Sequence, residues 1–280
     1  MRVLITGAKG QLGLELQRQL RYVAEIEHVI STTHDTLDIT SLDQVREKLK
    51  RDNIDIVINC AAYTFVDECE KNREKAYLVN AIGPKNLATV CQELGLKLIH
   101  LSTDYVFDGS GQLPKKEDDK VMPINIYGKS KLLGEEYVRS FCTKYFIIRT
   151  SWLYGEGNNF VRTMLKLAQD NKELNVVGDQ FGTPTSTKDL AHVIINLMQT
   201  EYYGIFHGTC EGECSWYELA CKIFELKGID VKINKVTSEE FIRPAQRPKY
   251  SVLDNFRLKN YGMNEFRHWE EALVDYLKEN

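Results

Sequence analysis

Apolar positions follow two alternating rhythms through the first half of the chain. Val3-Leu4-Ile5 is a short apolar run that stops at a glycine-rich turn. Leu12, Leu16, Leu20 and Val23 then recur at helical spacing, which predicts a helix over 12–23. Residues 26–31 read as a second strand. Ser41-x-x-Gln44 has the form of a capping box opening a helix through residue 50. Apolar runs at 55–61, 97–102 and 145–151 predict three further strands. Between them lie a helical stretch over 66–94, interrupted at Gly83-Pro84, and a helix over 126–140. Strands alternating with helices predict right-handed βαβ units, hence an α/β fold with a doubly wound parallel sheet.

The second half is less regular. A strand at 174–179, a helix at 188–198 and a short strand at 205–208 are predicted. Ser215-x-x-Glu218 is a second capping-box signature, opening a helix through 226. Residues 231–236 alternate apolar and polar, as in a half-exposed strand, and a polar loop with Pro244 and Pro248 precedes a terminal helix over 269–278. The expected division is a nucleotide-binding domain over 1–150, with 174–200 returning to it. A smaller α/β lobe over 151–173 and 201–280 completes the chain. No internal repeat or low-complexity linker separates them.

Composition narrows the function. The 280 residues are 43% apolar and 27% charged, which excludes disorder, collagen and coiled coil. Lys and Arg number 36 against 40 Asp and Glu, a net charge of −4 that gives no electrostatic case for nucleic acid. The short cluster Lys115-Lys116 is followed at once by Glu117-Asp118-Asp119. No run reaches the ~18 apolar residues of a membrane span, and the apolar start is too short for a signal peptide. Seven scattered cysteines are expected to be reduced thiols in a cytoplasm. Cys210-x-x-x-Cys214, with His207 and Cys221 nearby, lacks a zinc-ligand pattern; core packing is expected and no metal.

The turn Gly7-Ala8-Lys9-Gly10-Gln11-Leu12-Gly13 joins the first strand to the first helix. Glycines let backbone approach a pyrophosphate, and the helix N-terminus attracts its charge. At the end of the second strand, Ser31-Thr32-Thr33-His34 holds neither an acid for a ribose 2′-hydroxyl nor an arginine for a 2′-phosphate. NADPH and NADH both stay open, with a lean toward NADPH tolerance. In Leu37-Asp38-Ile39-Thr40, Asp38 either meets an adenine edge or starts the next helix. Cys60-Ala61-Ala62-Tyr63 ends the third strand with small residues against which a cofactor can lie.

Tyr127-x-x-x-Lys131 places a phenol and an ammonium on one helix face. A nearby cation is expected to lower the phenol's pKa and make Tyr127 a usable acid or base. Ser102-Thr103-Asp104 ends the fourth strand with hydroxyls that can bond a carbonyl above the sheet edge. Nucleotide turn, strand-end hydroxyl and Tyr/Lys pair, in that order, form a hydride-transfer constellation.

These segments resemble the extended short-chain dehydrogenase/reductase family, nearly end to end, and within it the reductases of 4-keto nucleotide sugars. Further motifs carry the resemblance: Asn59-Cys60-Ala61-Ala62-Tyr63-Thr64, Arg149-Thr150-Ser151-Trp152-Leu153-Tyr154, Gly157-Asn158-Asn159-Phe160, Asp179-Gln180-Phe181-Gly182-Thr183-Pro184-Thr185, and Arg247-Pro248 with Ser251. The resemblance implies a Rossmann-like fold with a C-terminal substrate-binding lobe. It implies that Gly7, Gly10, Gln11 and Leu12 contact the pyrophosphate, Asp38 and Ile39 flank the adenine, and Ala61, Ala62 and Tyr63 line the cofactor. Tyr127 is the implied proton donor, Lys131 the ribose ligand and Thr103 the carbonyl-orienting group. Asp104, Trp152, Asn159 and Arg247 are implied at the sugar nucleotide. The implied reaction is NAD(P)H reduction of dTDP-4-dehydro-β-L-rhamnose to dTDP-β-L-rhamnose, the last step of dTDP-L-rhamnose synthesis.

Two departures matter. Some members hold magnesium between subunits with acidic residues; here Glu15 stands at one such position, but Lys188 opposes a cation at another. A monomer or weak homodimer without structural magnesium is expected. Gln246 precedes Arg247 where a second arginine is frequent, which weakens a diphosphate contact by that loop. Trp216 and Trp269 read as packing, and His34, His100 and His192 carry no triad pattern. Two alternatives share the constellation: another nucleotide-sugar enzyme of the family, such as an epimerase, and a non-catalytic NADP-binding regulatory subunit.

Overall fold

The computed structural model describes residues 1–279. Strands β1 (Arg2–Thr6), β2 (His28–Ser31), β3 (Ile56–Asn59), β4 (Lys97–Thr103) and β5 (Tyr145–Thr150) pair in parallel with a sixth strand, Gly204–His207. The order across the sheet is Gly204–His207, β5, β4, β3, β1, β2. Helices α1 (Gln11–Leu20), α2 (Leu42–Arg51), α3 (Val66–Lys71), α4 (Arg73–Tyr77), α5 (Gly83–Leu94) and α6 (Ile126–Phe141) fill the crossovers. The order reverses between β1 and β3, and the crevice beyond their C-terminal ends is where such sheets bind ligands.

The strands are apolar on both faces because both are covered. Val3 and Ile5 pack on one side with Leu12, Leu16 and Leu20 of α1; Leu4 packs on the other with Val45, Leu49 and Leu87. Of the second half, α8 (Thr187–Met198), following α7 (Phe160–Asp170), lies against α1. The strand Glu173–Val177 does not return. It pairs in parallel with Lys232–Val236 in a separate two-stranded sheet. Its residues alternate exposed and buried, whereas a strand inside the main sheet must be apolar on both faces. Gly204–His207, read with the lobe, is instead the main sheet's edge strand beside β5.

The helical stretch over 66–94 breaks elsewhere than expected. The chain bends at Asn72, and Leu78–Ile82 forms a π-turn that runs straight into α5. Pro84 sits in the first turn of α5 and supplies no N–H, so the bonding register shifts before it rather than the helix ending there. The two capping signatures also differ. Ser215 and Glu218 cap reciprocally at the start of α9 (Trp216–Lys227). Ser41 accepts from the Gln44 N–H, but the Gln44 side chain accepts from the Asp38 N–H instead of reciprocating.

Candidate active site

Steric limits build the nucleotide end. Gly7 has φ +64°, and a Cβ there would stand 2.7 Å from the Ala61 nitrogen and 2.8 Å from the Cys60 carbonyl. A Cβ on Gly13 would stand 2.5 Å from the Gly7 oxygen. Both glycines are therefore demanded by backbone packing at the switch point. Gly10 is different: a Cβ there meets only the Gly7 oxygen, at 3.2 Å. It occupies the N-cap of α1 and offers no side chain to the helix's first N–H groups, which leaves them for an anion. Leu12 is buried in the core beneath the turn. Thr6 donates to Asn59 (2.6 Å) and accepts from the Ala61 N–H (3.3 Å), tying β1 to the end of β3.

Asp38 accepts from the Thr40 N–H (2.9 Å) and hydroxyl (2.7 Å), which organises the turn before α2. Burial would raise its pKa, but these bonds and His34 hold it below the ordinary value. The Ile39 side chain lies in the core against the open Cα of Gly83. Tyr63 is fixed through Asn80, which accepts from the Tyr63 N–H (2.8 Å) and donates to its carbonyl (3.0 Å) and to Ser130 (3.0 Å). Asn80 thus joins the loop after β3 to α6. It was not visible in the sequence, because its position depends on the π-turn.

At the catalytic end, Asn125 caps α6 by accepting from the Gly128 N–H (2.8 Å). Gly128 lets the helix close on the Tyr105 carbonyl, 2.1 Å from where a Cβ would sit. Tyr127 and Lys131 share the face turned to β4, as their spacing implies. The expected depression of the phenol pKa does not occur. Burial pushes Tyr127 up; a Thr103 hydrogen bond offsets this in part and Asp104 adds to it. The reason is geometric: Lys131 turns its ammonium to the Leu101 carbonyl (2.6 Å), not to the phenol. Burial brings Lys131 down to about 8, opposed by Glu135 and Cys60.

Thr103 is buried at the end of β4 and donates to Asp104 (2.9 Å). Burial raises Asp104 to about 6, against hydrogen bonds from Ser251, Thr103 and the backbone. A hydroxyl has one proton. In this state Thr103 spends it on Asp104, whereas the sequence expectation assigned it to a substrate oxygen.

The remaining candidates divide. Trp152 has φ +45° and stacks on Trp216 at 3.4 Å between ring centroids, so Trp216 is the partner of a candidate site residue. Gly182 makes the room, since a Cβ there would lie 2.5 Å from the Trp152 ring. Asn159 caps α7 and donates to Gln11 (3.1 Å) and the Gly155 carbonyl (2.8 Å), so its amide joins the nucleotide turn to the lobe. Arg247 is engaged by both oxygens of Asp67 (3.0 Å each), which anchors its loop to α3. Glu15 accepts from Arg18 (2.7 Å) and Gln19 (2.8 Å), and Lys188 pairs with Glu279 (3.0 Å). Cys210 and Cys214 pack in the main core.

A doubly wound sheet with a glycine turn at its switch point and a helix carrying a half-buried Tyr and a buried Lys beside a strand-end hydroxyl defines a nucleotide-dependent oxidoreductase class. The chain belongs to the RmlD substrate binding domain family, which matches residues 1–280. A spore coat polysaccharide biosynthesis protein, SpsK, of Bacillus subtilis is 48% identical, over 99% of this chain and 97% of its own. A crystal structure of a dTDP-4-dehydrorhamnose reductase from Clostridium acetobutylicum superposes with TM-score 0.97 at 50% identity, covering 99% of both chains. The dTDP-4-dehydrorhamnose reductase of Bacillus anthracis, crystallised with NADP, gives TM-score 0.96 at 44% identity over 100% of this chain and 99% of that one.

Proposed function

We propose that the chain reduces dTDP-4-dehydro-β-L-rhamnose to dTDP-β-L-rhamnose with NADPH or NADH, as the names of its relatives and the NADP complex support. The observation that carries the reading is the line Asp104–Thr103–Tyr127, in which buried Asp104 and Thr103 at the end of β4 meet half-buried Tyr127 on α6, with buried Lys131 one helical turn beyond. The cradle fits a dinucleotide, because Gly10 at the N-cap of α1 offers no side chain and leaves the first N–H groups of the helix open to a pyrophosphate. A dinucleotide bound there would supply the hydride that the sugar C4 receives.

Gly7, Gly10 and Gln11 hold the pyrophosphate, with Leu12 beneath. Asp38 and Ile39 shape the adenine end, and Ala61, Ala62 and Tyr63 line the cofactor. Tyr127, kept protonated by burial, gives its proton to the C4 oxygen. Lys131, its ammonium held at the Leu101 carbonyl, binds the ribose. Thr103 bonds the same oxygen once Asp104 releases its proton. Asp104, Trp152, Asn159 and Arg247 serve the sugar nucleotide, Asn159 through the Gln11 junction and Arg247 in exchange with Asp67. The nucleotide half comprises 1–150 with α8. The sugar half comprises 151–186, including the strand Glu173–Val177 paired with Lys232–Val236, and 201–280 less the strand Gly204–His207, which joins the nucleotide half. The chain works as a monomer or weak homodimer without structural magnesium, in the cytoplasm. No described helix is long and apolar enough to cross a membrane.

The test is absorbance at 340 nm with the ketosugar generated in situ by the preceding epimerase. Substrate-dependent oxidation with dTDP-L-rhamnose as product is expected with at least one cofactor. Cofactor binding without turnover would refute this substrate and move the reading to another nucleotide sugar or to a binding module.

A further inference from the structure

Tyr127, Lys131 and Glu135 lie four residues apart on α6, so all three share one face. Glu135 is 1% exposed and Arg149 3%. Arg149 grips both carboxylate oxygens (2.9 and 2.7 Å), and the Ser102 hydroxyl donates to one of them at 2.5 Å. Ser102 and Arg149 are register partners in β4 and β5, and Thr103 and Thr150 are the next pair. One carboxylate therefore ties α6 to two strands, a single residue below Thr103. A buried ion pair gives little net stability over apolar residues of similar volume, so stability alone does not account for it.

We propose that Glu135 is a positioning residue: its carboxylate, clamped by Arg149 and Ser102, seats α6 against β4 and sets the charge of Lys131. This rests on Lys131 acting as the cofactor-side cation. The groups facing Lys131 are Cys60 beyond β3, His100 and the Leu101 carbonyl on β4, and Glu135 on its own helix. Burial holds the Cys60 thiol and the His100 imidazole neutral. That leaves Glu135 as the anion facing Lys131, with Arg149 behind it as a second cation.

The two partners should then act in opposite directions. Glu135→Gln leaves Arg149 uncompensated, and Lys131 loses its proton at lower pH. Arg149→Met leaves Glu135 uncompensated, and Lys131 holds its proton to higher pH. The measurement is kcat against pH at saturating NADPH, paired with NADPH affinity against pH by nucleotide fluorescence. The alkaline limb is expected to move down by about one pH unit in Glu135→Gln, roughly a tenfold loss above the limb, and upward in Arg149→Met. Shifts in the same direction, or none, with loss of thermal stability alone, would overturn the proposal. If a single variant does not fold, Glu135→Leu/Arg149→Met replaces the pair with apolar bulk. Its limb must lie below that of the wild type, and an unmoved limb overturns the proposal. Lys131→Met, read by NADPH affinity against pH, separates the two readings. A limb that survives this change removes the role of Lys131, and the role of Glu135 with it. A limb that vanishes there but stays fixed in Glu135→Gln removes the role of Glu135 alone. Absence of ketosugar turnover with the affinity shifts intact would refute the proposed substrate and leave Glu135 in its role.

Discussion

At the dinucleotide turn the geometry is set by atoms that are missing; in the layer between α6 and β4 it is set by side chains that reach across elements. Gly7 and Gly13 are where they are because a Cβ would strike backbone. Tyr127, Lys131 and Glu135 are where they are because Thr103, the Leu101 carbonyl, Ser102 and Arg149 receive them. The first kind of site tolerates no addition, and the second tolerates no loss. Substitutions at the two ends must therefore fail differently.

The largest effect falls in the second region. Tyr127→Phe keeps the ring and its edge contact with Tyr105 but removes the proton. Turnover at 340 nm is expected to fall by roughly 10²–10⁴-fold, the range of a lost general acid, while NADPH affinity changes little. Loss of cofactor binding in a folded variant would show that Tyr127 is not the proton donor.

The next test divides the glycines. Gly7→Ala forces a left-handed residue, which costs about 1–2 kcal/mol before the contact with Ala61 and Cys60 is counted. It should lower the melting temperature with or without cofactor. Gly10→Ala should barely move the melting temperature of the free protein, yet weaken NADPH by roughly tenfold, about 1.4 kcal/mol. Equal behaviour of the two would dissolve the distinction between packing glycine and ligand glycine.

The comparison also explains what could be read from the sequence. The turn was legible because its logic is local: a strand, three glycines and a helix within a few residues. The strand alternation was legible for the same reason, down to the capping box at Ser215. Tyr127 and Lys131 could be placed on one face by spacing, but not their protonation. That depends on burial and on where Lys131 points, and both are tertiary facts. Glu135 carried a signal, one helical turn past Lys131, but its partners Ser102 and Arg149 lie on other elements. Asn80 carried none. The strand Glu173–Val177 is predicted as a strand but not assigned to its sheet, because the apolar pattern that identifies a strand does not say which sheet it joins.

Lys131 supplies a third prediction, in which activity and stability part. Burial lowers its folded pKa from 10.5 to about 8. Between those values the unfolded chain binds the extra proton, so stability rises with pH from about 8 to 10.5. Turnover needs the ammonium and so falls above about pH 8, by about tenfold per unit once the limb is passed. Lys131→Met should abolish turnover while the melting temperature holds or rises at pH 7, since a buried charge is gone. Parallel loss of stability and activity with pH would mean that Lys131 is not the titrating group.

The smallest effect concerns the single proton of Thr103. Burial raises Asp104 from 3.8 to about 6, and its ionised form accepts that proton. Protonated, Asp104 donates to Thr103 instead, and Thr103 is free to bond the substrate oxygen. Turnover of the wild type should therefore rise modestly, by roughly two- to fivefold, as pH falls through about 6, the scale of one neutral hydrogen bond gained. Asp104→Asn offers an amide N–H to Thr103 at every pH and should remove this dependence while keeping the faster rate. The sign for stability is opposite to that of an ordinary carboxylate. Its folded pKa is raised, so the wild type loses stability as pH climbs from 3.8 to about 6, and the variant does not. A pH profile with the same acid limb in wild type and Asp104→Asn would place the titration elsewhere and leave Thr103 bonded to Asp104 throughout the reaction.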